Sequence, residues 1–395
     1  MAPPLQEIFD MTVSIWQADG KQPVREVDVL IVGAGIVGTA AALFVKQAGR
    51  EAVITDMRDV ALGASGRNAG FMITGLDAYY HHAIARYGQA VTREIYALSQ
   101  RTHQIWHGLI NAHNVRFNRI GSMLLAESES EADDLRAAYA AMIADGLSPV
   151  FHARDPLGRG YFGAIEQPQD GAVQPVELAH AALTESGAGF VDNNELYHIE
   201  QASGHVVVRT RKFTFHAQKV LLCTNAYSPA VHPYFVGKVI ANRAQVLATA
   251  PLDKPVLDTC GYSDYGYMYY RMDFDGRLII GGGRKQNKRA EYDTTDDRIT
   301  TPVQAVLDAY LRERFPDVTA PVERRWAGIM GFTADGLPLV GTLPDLPDVG
   351  FAVGFNGHGL AMGAGTAELA VAHLLTGAHP GAVSVDRDLS AYPAE

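Results

Sequence analysis

Two glycine-rich turns, one near each end of the 395-residue chain, carry residue types and spacings that point to chemistry. The first is Gly33-Ala34-Gly35-Ile36-Val37-Gly38, which follows the apolar run Val29 to Val32 and opens the Ala-rich stretch Ala40 to Ala42. A strand, a Gly-x-Gly-x-x-Gly turn and a helix in that order bind a dinucleotide. Gly33 permits the tight turn, Gly35 lets the backbone approach a pyrophosphate, and Gly38 lets helix pack on strand. Ile36 and Val37, in the first helical turn, then present unpaired N–H groups and a positive dipole end to the phosphates. Asp56, with Met57 beside it, ends the next apolar run, where a carboxylate can accept hydrogen bonds from ribose hydroxyls.

The second turn is Gly354-Phe355-Asn356-Gly357-His358-Gly359, between an apolar run and a helix-forming stretch that reaches Leu375. A helix end aimed at a cofactor ring stabilises negative charge that develops there. A flavin develops such charge on accepting a hydride, whereas a nicotinamide becomes neutral on reduction. The alternative for this stretch is a helix merely packed closely through Gly363 and Gly365.

These turns must be held by a sizeable fold, and the chain is long enough for two domains. Apolar content of 47% and charged content of 19% are those of an ordinary globular protein. The net charge of -11, with no basic block to offset it, argues against nucleic acid and an anionic membrane surface as partners. Two cysteines, Cys223 and Cys260, make neither a disulfide framework nor a zinc pattern. Cys223 reads as a small core residue in a strand. The N-terminus has no basic segment followed by an apolar one, and no apolar run is long enough to span a bilayer, so a cytoplasmic protein is expected.

Along the chain, residues 1–26 read as an arm with Trp16 as a surface anchor. Val91, Ile95, Leu98, Thr102, Ile105 and Leu109 recur at helical spacing within a stretch from about 81 to 117. His103 and His107 are placed to share a face of that helix. Without an acidic or cysteine partner nearby, a solvated face is expected there and no metal site. Residues 119–145 predict a short strand and a solvated helix, and strands dominate 230–300. The order implies an α/β (α+β) fold: a Rossmann-like dinucleotide domain (27–80, 151–229 and 321–395) interleaved with a mainly antiparallel-sheet substrate domain (81–150 and 230–320). Alternation through the tyrosine-rich stretch places Tyr265, Tyr267 and Tyr269 on one face and Tyr270 on the other. One face can line an amine pocket; a plain aromatic core is the competing reading.

Five motifs occur in order: Gly33-x-Gly35-x-x-Gly38, Gly63-Ala64-Ser65-Gly66-Arg67-Asn68, Thr224-Asn225-Ala226-Tyr227, Asp335-Gly336-Leu337-Pro338 and Phe355-Asn356-Gly357-His358-Gly359. Together they resemble the D-amino-acid oxidase (glycine oxidase, sarcosine oxidase) family of FAD proteins. The γ-glutamylputrescine oxidase branch is the most similar through its Ser-Gly-Arg-Asn loop and N-terminal arm. The resemblance implies FAD stretched along the nucleotide domain, with substrate between the ring and the antiparallel sheet. By position, Asp56 would hold the ribose and the backbone of Leu196 the adenine. Ala64, Ser65, Gly66, Arg67, Asn68 and Ala69 would follow the pyrophosphate and flavin. Thr224, Gly328, Gly357, His358, Gly359, Leu360, Ala361 and Met362 would complete the cofactor set.

The departures from the family pattern bear on chemistry. Trp326 to Thr333 has no cysteine and the Ser-Gly-Arg-Asn loop no histidine, which implies FAD held without a covalent bond. Where glycine and D-amino-acid oxidases carry a carboxylate-binding arginine, this chain has Met330; where sarcosine oxidases carry a substrate-binding lysine, it has Ala361. Losing both disfavours a small α-amino acid and favours a longer primary or secondary amine with a remote acidic group, anchored by Arg271, Arg284 or Arg67. The oxygen-activating lysine of sarcosine oxidases matches Ile279 to within a residue, so molecular oxygen and another electron acceptor both stay open.

The chemistry implied is hydride transfer from the carbon beside a neutral amine nitrogen to flavin N5, the imine then hydrolysing to a carbonyl compound and an amine or ammonia. His358, with the Gly359 and Leu360 N–H groups, would stabilise the charge gained by the ring, and Tyr267 and Tyr269 would line the pocket. A D-amino-acid or glycine oxidase, a nicotinamide dehydrogenase, and an FAD-binding subunit passing electrons to a respiratory acceptor are the alternatives. Oligomeric state is not legible.

Overall fold

The computed structural model describes residues 22–387; Trp16 and most of the arm lie outside them. The strand Val24–Val32 is central to the first of two eight-stranded sheets, paired in parallel with Thr214–Leu222 on one side and Ala52–Thr55 on the other. Val29, Leu30 and Ile31 are wholly buried, as expected of a parallel strand covered on both faces. Gly189–Val191 extends this sheet at one edge, and the antiparallel pair Leu196–Ala202 and His205–Thr210 extends it at the other. Leu346–Val353 also joins Thr214–Leu222 in parallel and brings the second glycine turn beside the first.

Every residue from Ile36 to Val45 in the helix Ile36–Gln47 is buried, so this helix is apolar all round and lies inside the layer. The final helix, Gly359–Thr376, packs against it at Gly363, where an added Cβ would stand 3.3 Å from Val37. It also packs on the long helix Gln89–His113, whose Thr102 hydroxyl accepts the Gly365 N–H at 2.9 Å.

The second sheet runs in the order Val322–Phe332, Ile240–Thr249, Leu278–Gly282, Met268–Met272, Cys260–Ser263, Ser122–Leu125, Ala164–Gln167, Val150–His152. It is antiparallel except where Cys260–Ser263 meets Ser122–Leu125. Three of its strands fall outside the boundaries expected for the substrate domain. Ala164–Gln167 and Val322–Phe332 lie wholly in the stretches assigned to the dinucleotide domain, and Val150–His152 straddles their border. Pairing with distant strands decides sheet membership, and local pattern carries no record of it.

The helical stretch from about 81 to 117 is two helices, Tyr80–Tyr87 and Gln89–His113, divided at Gly88, whose φ is +80°. The tyrosine alternation also breaks. Tyr265 sits in the turn Asp264–Gly266 with φ +54°, and its hydroxyl donates to Asp134 at 2.8 Å; the strand begins only at Met268. No helix among the described residues is long and apolar enough to cross a membrane.

Candidate active site

A single elongated cavity runs between the two sheets, from Asp56 and Leu196 at one end to His358, Tyr267 and Arg284 at the other. Gly33, Gly35, Ile36, Val37, Met57, Ala64, Ser65, Arg67, Asn68, Ala69, Thr224, Tyr269, Gly328, Gly357, Gly359, Leu360 and Ala361 also line it. The first glycine turn is built by contact as much as by conformation. Gly33 has φ +111°, and a Cβ there would stand 2.6 Å from the Cys223 carbonyl oxygen. Gly38 is away from the cavity, pressed against the Gly33 carbonyl. At the mouth of that helix the Ile36 N–H donates to Ser65 Oγ at 2.9 Å, while the Gly35 and Val37 N–H groups have no acceptor among the described residues. Asp56 is locked by its own turn, accepting from the Ala34 N–H at 2.7 Å and the Arg58 N–H at 2.8 Å. Each carboxylate oxygen keeps a lone pair for a further donor.

At the far end, His358 precedes the helix Gly359–Thr376, and the Gly359 and Leu360 N–H groups have no acceptor among the described residues. Its Nδ1 lies 3.3 Å from the Asn356 carbonyl. Asn225 and Asn356 hold this turn in place. Asn225 Oδ1 accepts from the Gly354 N–H at 3.0 Å, and Asn356 Oδ1 from the Thr333 N–H at 2.9 Å. Both residues have positive φ, which asparagine tolerates better than most. Sequence reasoning quoted both in motifs without seeing this role.

Several expected residues stand elsewhere. Arg271 is buried away from the cavity, its guanidinium donating to the carbonyls of Ala69, Met272 and Val173, so it braces the loop after Asn68. Gly66 faces away, its absent side chain making room for the Ala61 carbonyl at 2.3 Å, and Met362 is buried in the core. Arg67 lines the cavity, but its guanidinium bonds the Ala327 carbonyl at 2.8 Å and pairs with Asp297 at 3.1 Å. Ile279 is buried in the main core, beside Arg271 in the register of its neighbour strand.

Met330, Phe332, Tyr262, Asp77 and Arg284 complete the substrate end. Burial pushes the Tyr262 hydroxyl well above its usual range, with smaller contributions from Tyr269 and Asp77. Burial raises Tyr269 to about 12 against the opposing pull of Arg284. Tyr270 lies on the opposite face, fully buried, donating to Tyr161 at 2.6 Å.

The histidines fall differently from the expectation of a solvated face. His103 is buried, with Nε2 3.0 Å from the carbonyl of Ile73, a cavity residue. Burial holds its imidazole down at about 4. In the unfolded chain it would titrate near its ordinary value, so its contribution to stability is complete above about pH 6.5. That contribution is lost as pH falls towards 4, by up to about 3 kcal/mol. Thermal melting should therefore fall more between pH 7.5 and pH 5 in the natural protein than in a His103→Gln variant. Among the described residues one group has metal-ligand types close together, His81, His82 and Asp134. The two Nε2 atoms lie 3.6 and 3.7 Å from Asp134 Oδ1, and none of the three lines the cavity.

The model of the FAD dependent oxidoreductase family matches residues 28–373. The chain belongs to that family. It is 25% identical over 381 residues to a probable oxidoreductase, OrdL, of Haemophilus influenzae, covering 90% of this chain and 84% of the relative. It is 24% identical to the gamma-glutamylputrescine oxidoreductase of Escherichia coli, covering 84% and 80%. Among solved structures it resembles glycine oxidase from Geobacillus kaustophilus, with 23% identity, a TM-score of 0.72 and coverage of 88% and 94%. The mixed α/β fold is that of these enzymes, and FAD is the family's cofactor. The cavity suits it: one continuous space links unpaired N–H groups at the first helix to unpaired N–H groups at the last, with a carboxylate near the outer end.

Proposed function

We propose that the chain oxidises a carbon–nitrogen bond of a small-molecule amine in the cytoplasm, with FAD held without a covalent bond and oxygen as the acceptor. One observation supports this reading: the same cavity is lined by Gly359 and Leu360, whose N–H groups have no acceptor among the described residues, and by Tyr262, Tyr267, Tyr269 and Arg284. Bound FAD supplies the two-electron acceptor for a hydride leaving the carbon beside the amine nitrogen. Asp56, Ser65 and the first helix end hold the cofactor's ribose and phosphates; His358 and the last helix end stabilise negative charge at its ring. Met330 and Phe332 keep water from the reacting carbon, and Tyr267 and Tyr269 orient the amine through their ring faces.

Two observations support a non-covalent cofactor. Burial lifts the thiol of Cys223, the cavity's cysteine, to about 12, which keeps it protonated, and Met330 stands in the segment where a linking cysteine would be needed. Met330 also weighs against an α-amino acid, since its thioether cannot pair with a carboxylate as an arginine at that position would.

Anaerobic titration of the yellow holoenzyme with primary, secondary and polyamine substrates tests the reading. Bleaching of the flavin band by one amine class, with a carbonyl product, is the expected result. A band unchanged by every amine but bleached by reduced nicotinamide would replace it. Peroxide formation in air separates oxygen from other acceptors.

A further inference from the structure

Outside the cavity, three side chains with metal-ligand chemistry converge. His81 and His82 stand in the first turn of the helix Tyr80–Tyr87, and Asp134 on the helix Glu129–Ala144 packed beside it. Both histidines bring Nε2 to one oxygen: Asp134 Oδ1 is 3.6 Å from His81 and 3.7 Å from His82. One ligand atom from each residue falls within 4.8 Å of the others. The two N···O separations are too long for hydrogen bonds. They come close to the edge of a tetrahedral coordination shell, about 3.3–3.5 Å when the bonds to the ion are about 2.0–2.2 Å.

The surroundings suit each ligand. His81 Nδ1 is buried without a partner among the described residues, which leaves Nε2 as the nitrogen that can reach an ion. Burial and the neighbouring His82 hold this imidazole below its usual range, against the pull of Asp134, so it is neutral at pH 7 and able to coordinate. Asp134 keeps Oδ1 for the ion because Oδ2 accepts from the Tyr265 hydroxyl at 2.8 Å. An outer hydrogen bond of this kind orients a metal-binding carboxylate. Burial, the bond to Asp134 and the charges of Asp134, Glu131 and Asp264 raise that hydroxyl to about 12, so it stays a donor. Lys285, 5.8 Å from the Tyr265 ring centroid, is paired with Asp264.

We propose that His81, His82 and Asp134 form a surface site for a divalent ion of the zinc type, with water in the fourth position, and that the ion fixes the turn Asp264–Gly266 through Tyr265. Two imidazoles and one carboxylate favour zinc over magnesium and calcium, which prefer oxygen. The turn belongs to the cavity wall: Gly266 lines the cavity, and Tyr265 stacks on Tyr79 with ring centroids 5.3 Å apart. The site stands independently of the reaction proposed above.

The test titrates untagged holoenzyme, stripped of metal by a chelator, with zinc chloride at pH 7.5 by calorimetry, with magnesium chloride as the control. One equivalent of zinc should bind with a Kd in the micromolar range, and magnesium should give no binding at the same concentration. His82→Gln and Asp134→Asn should each weaken zinc by about tenfold or more. Tyr265→Phe, which keeps the ring and removes the outer hydrogen bond, should weaken it by about tenfold. His113→Gln, in a two-residue pair with Glu185, should bind zinc as the natural protein does. Flavin content and melting temperature without zinc report whether each variant is folded. Zinc should also slow amide exchange across residues 264–267 in the natural protein and leave it unchanged in Tyr265→Phe.

Zinc that binds only at millimolar concentration, or equally well to folded His82→Gln and Asp134→Asn proteins, overturns the site. Amide exchange at 264–267 that ignores bound zinc overturns the link to the turn.

Discussion

Replacing Gly38 by valine should give a protein that purifies without colour. An ideal Cβ at this position would stand 1.9 Å from the Gly33 carbonyl oxygen and 3.1 Å from its carbon, so no rotamer choice relieves the contact. The helix Ile36–Gln47 would have to move off the strand Val24–Val32, carrying with it the N–H groups proposed above to hold the phosphates. Overpacking of this kind costs about 1–3 kcal/mol in folding alone. The displaced helix end would also lose the aim that makes it an anion site. Together these should weaken FAD binding about 100-fold or more, equivalent to roughly 2.8 kcal/mol. The flavin-to-protein ratio after dialysis measures it. Gly108→Ala is the matched control, since nothing lies within 4 Å of a Cβ there and alanine favours a helix. A Gly38→Val protein that keeps its full flavin after dialysis would show that the helix end does not hold the phosphates.

Glu291→Ala should produce the largest loss of stability among single changes away from the cofactor, about 3–5 kcal/mol. Glu291 and Arg243 are 2% and 5% exposed and joined by two hydrogen bonds, Nε to Oε2 at 2.8 Å and Nη2 to Oε1 at 3.0 Å. Gln245 and Thr300 donate to the same carboxylate at 3.0 and 3.2 Å. Removing the carboxylate leaves the buried Arg243 guanidinium, the buried Gln245 amide and the half-buried Thr300 hydroxyl with fewer acceptors, which costs far more than the pair contributes beyond an apolar replacement. The double change Arg243→Met with Glu291→Met should therefore recover most of the loss. Thermal melting of the four proteins, each saturated with FAD, decides it. Equal melting temperatures for Glu291→Ala and the natural protein would mean that water reaches Arg243.

The same pair shows why part of the site escaped sequence reasoning. Glu291 holds the segment after Arg284 against the strand Ile240–Thr249, whose Ala244 lines the cavity. Nothing in the order of residues 284–291 marks which of its charges turns inward. The sequence offered Arg284 as one of three candidate anchors with Arg271 and Arg67, and only packing singles it out, with its guanidinium over the rings of Tyr267 and Phe332 at the cavity. Asp77, which also lines the cavity, carried no signal, lying in a short loop without periodicity. Arg271 shows the converse: an arginine on a strand of tyrosines looks like a substrate anchor, and three backbone carbonyls claim it.

What the sequence determined by itself was the pair of helix ends and the cofactor between them. Glycine requirements at a strand–helix turn are local, set by φ and by contacts a few residues apart, so Gly33, Gly35, Gly38 and the Gly357–Gly359 turn could be read in order. The tertiary structure alone decided which of the candidate charges line the cavity. That depends on pairing among strands distant along the chain, on the φ +54° turn at Tyr265 that ends the tyrosine alternation, and on which carbonyls reach each arginine first. Burial and partner choice are properties of the packed whole, because a buried charge takes whatever neighbour desolvation leaves it.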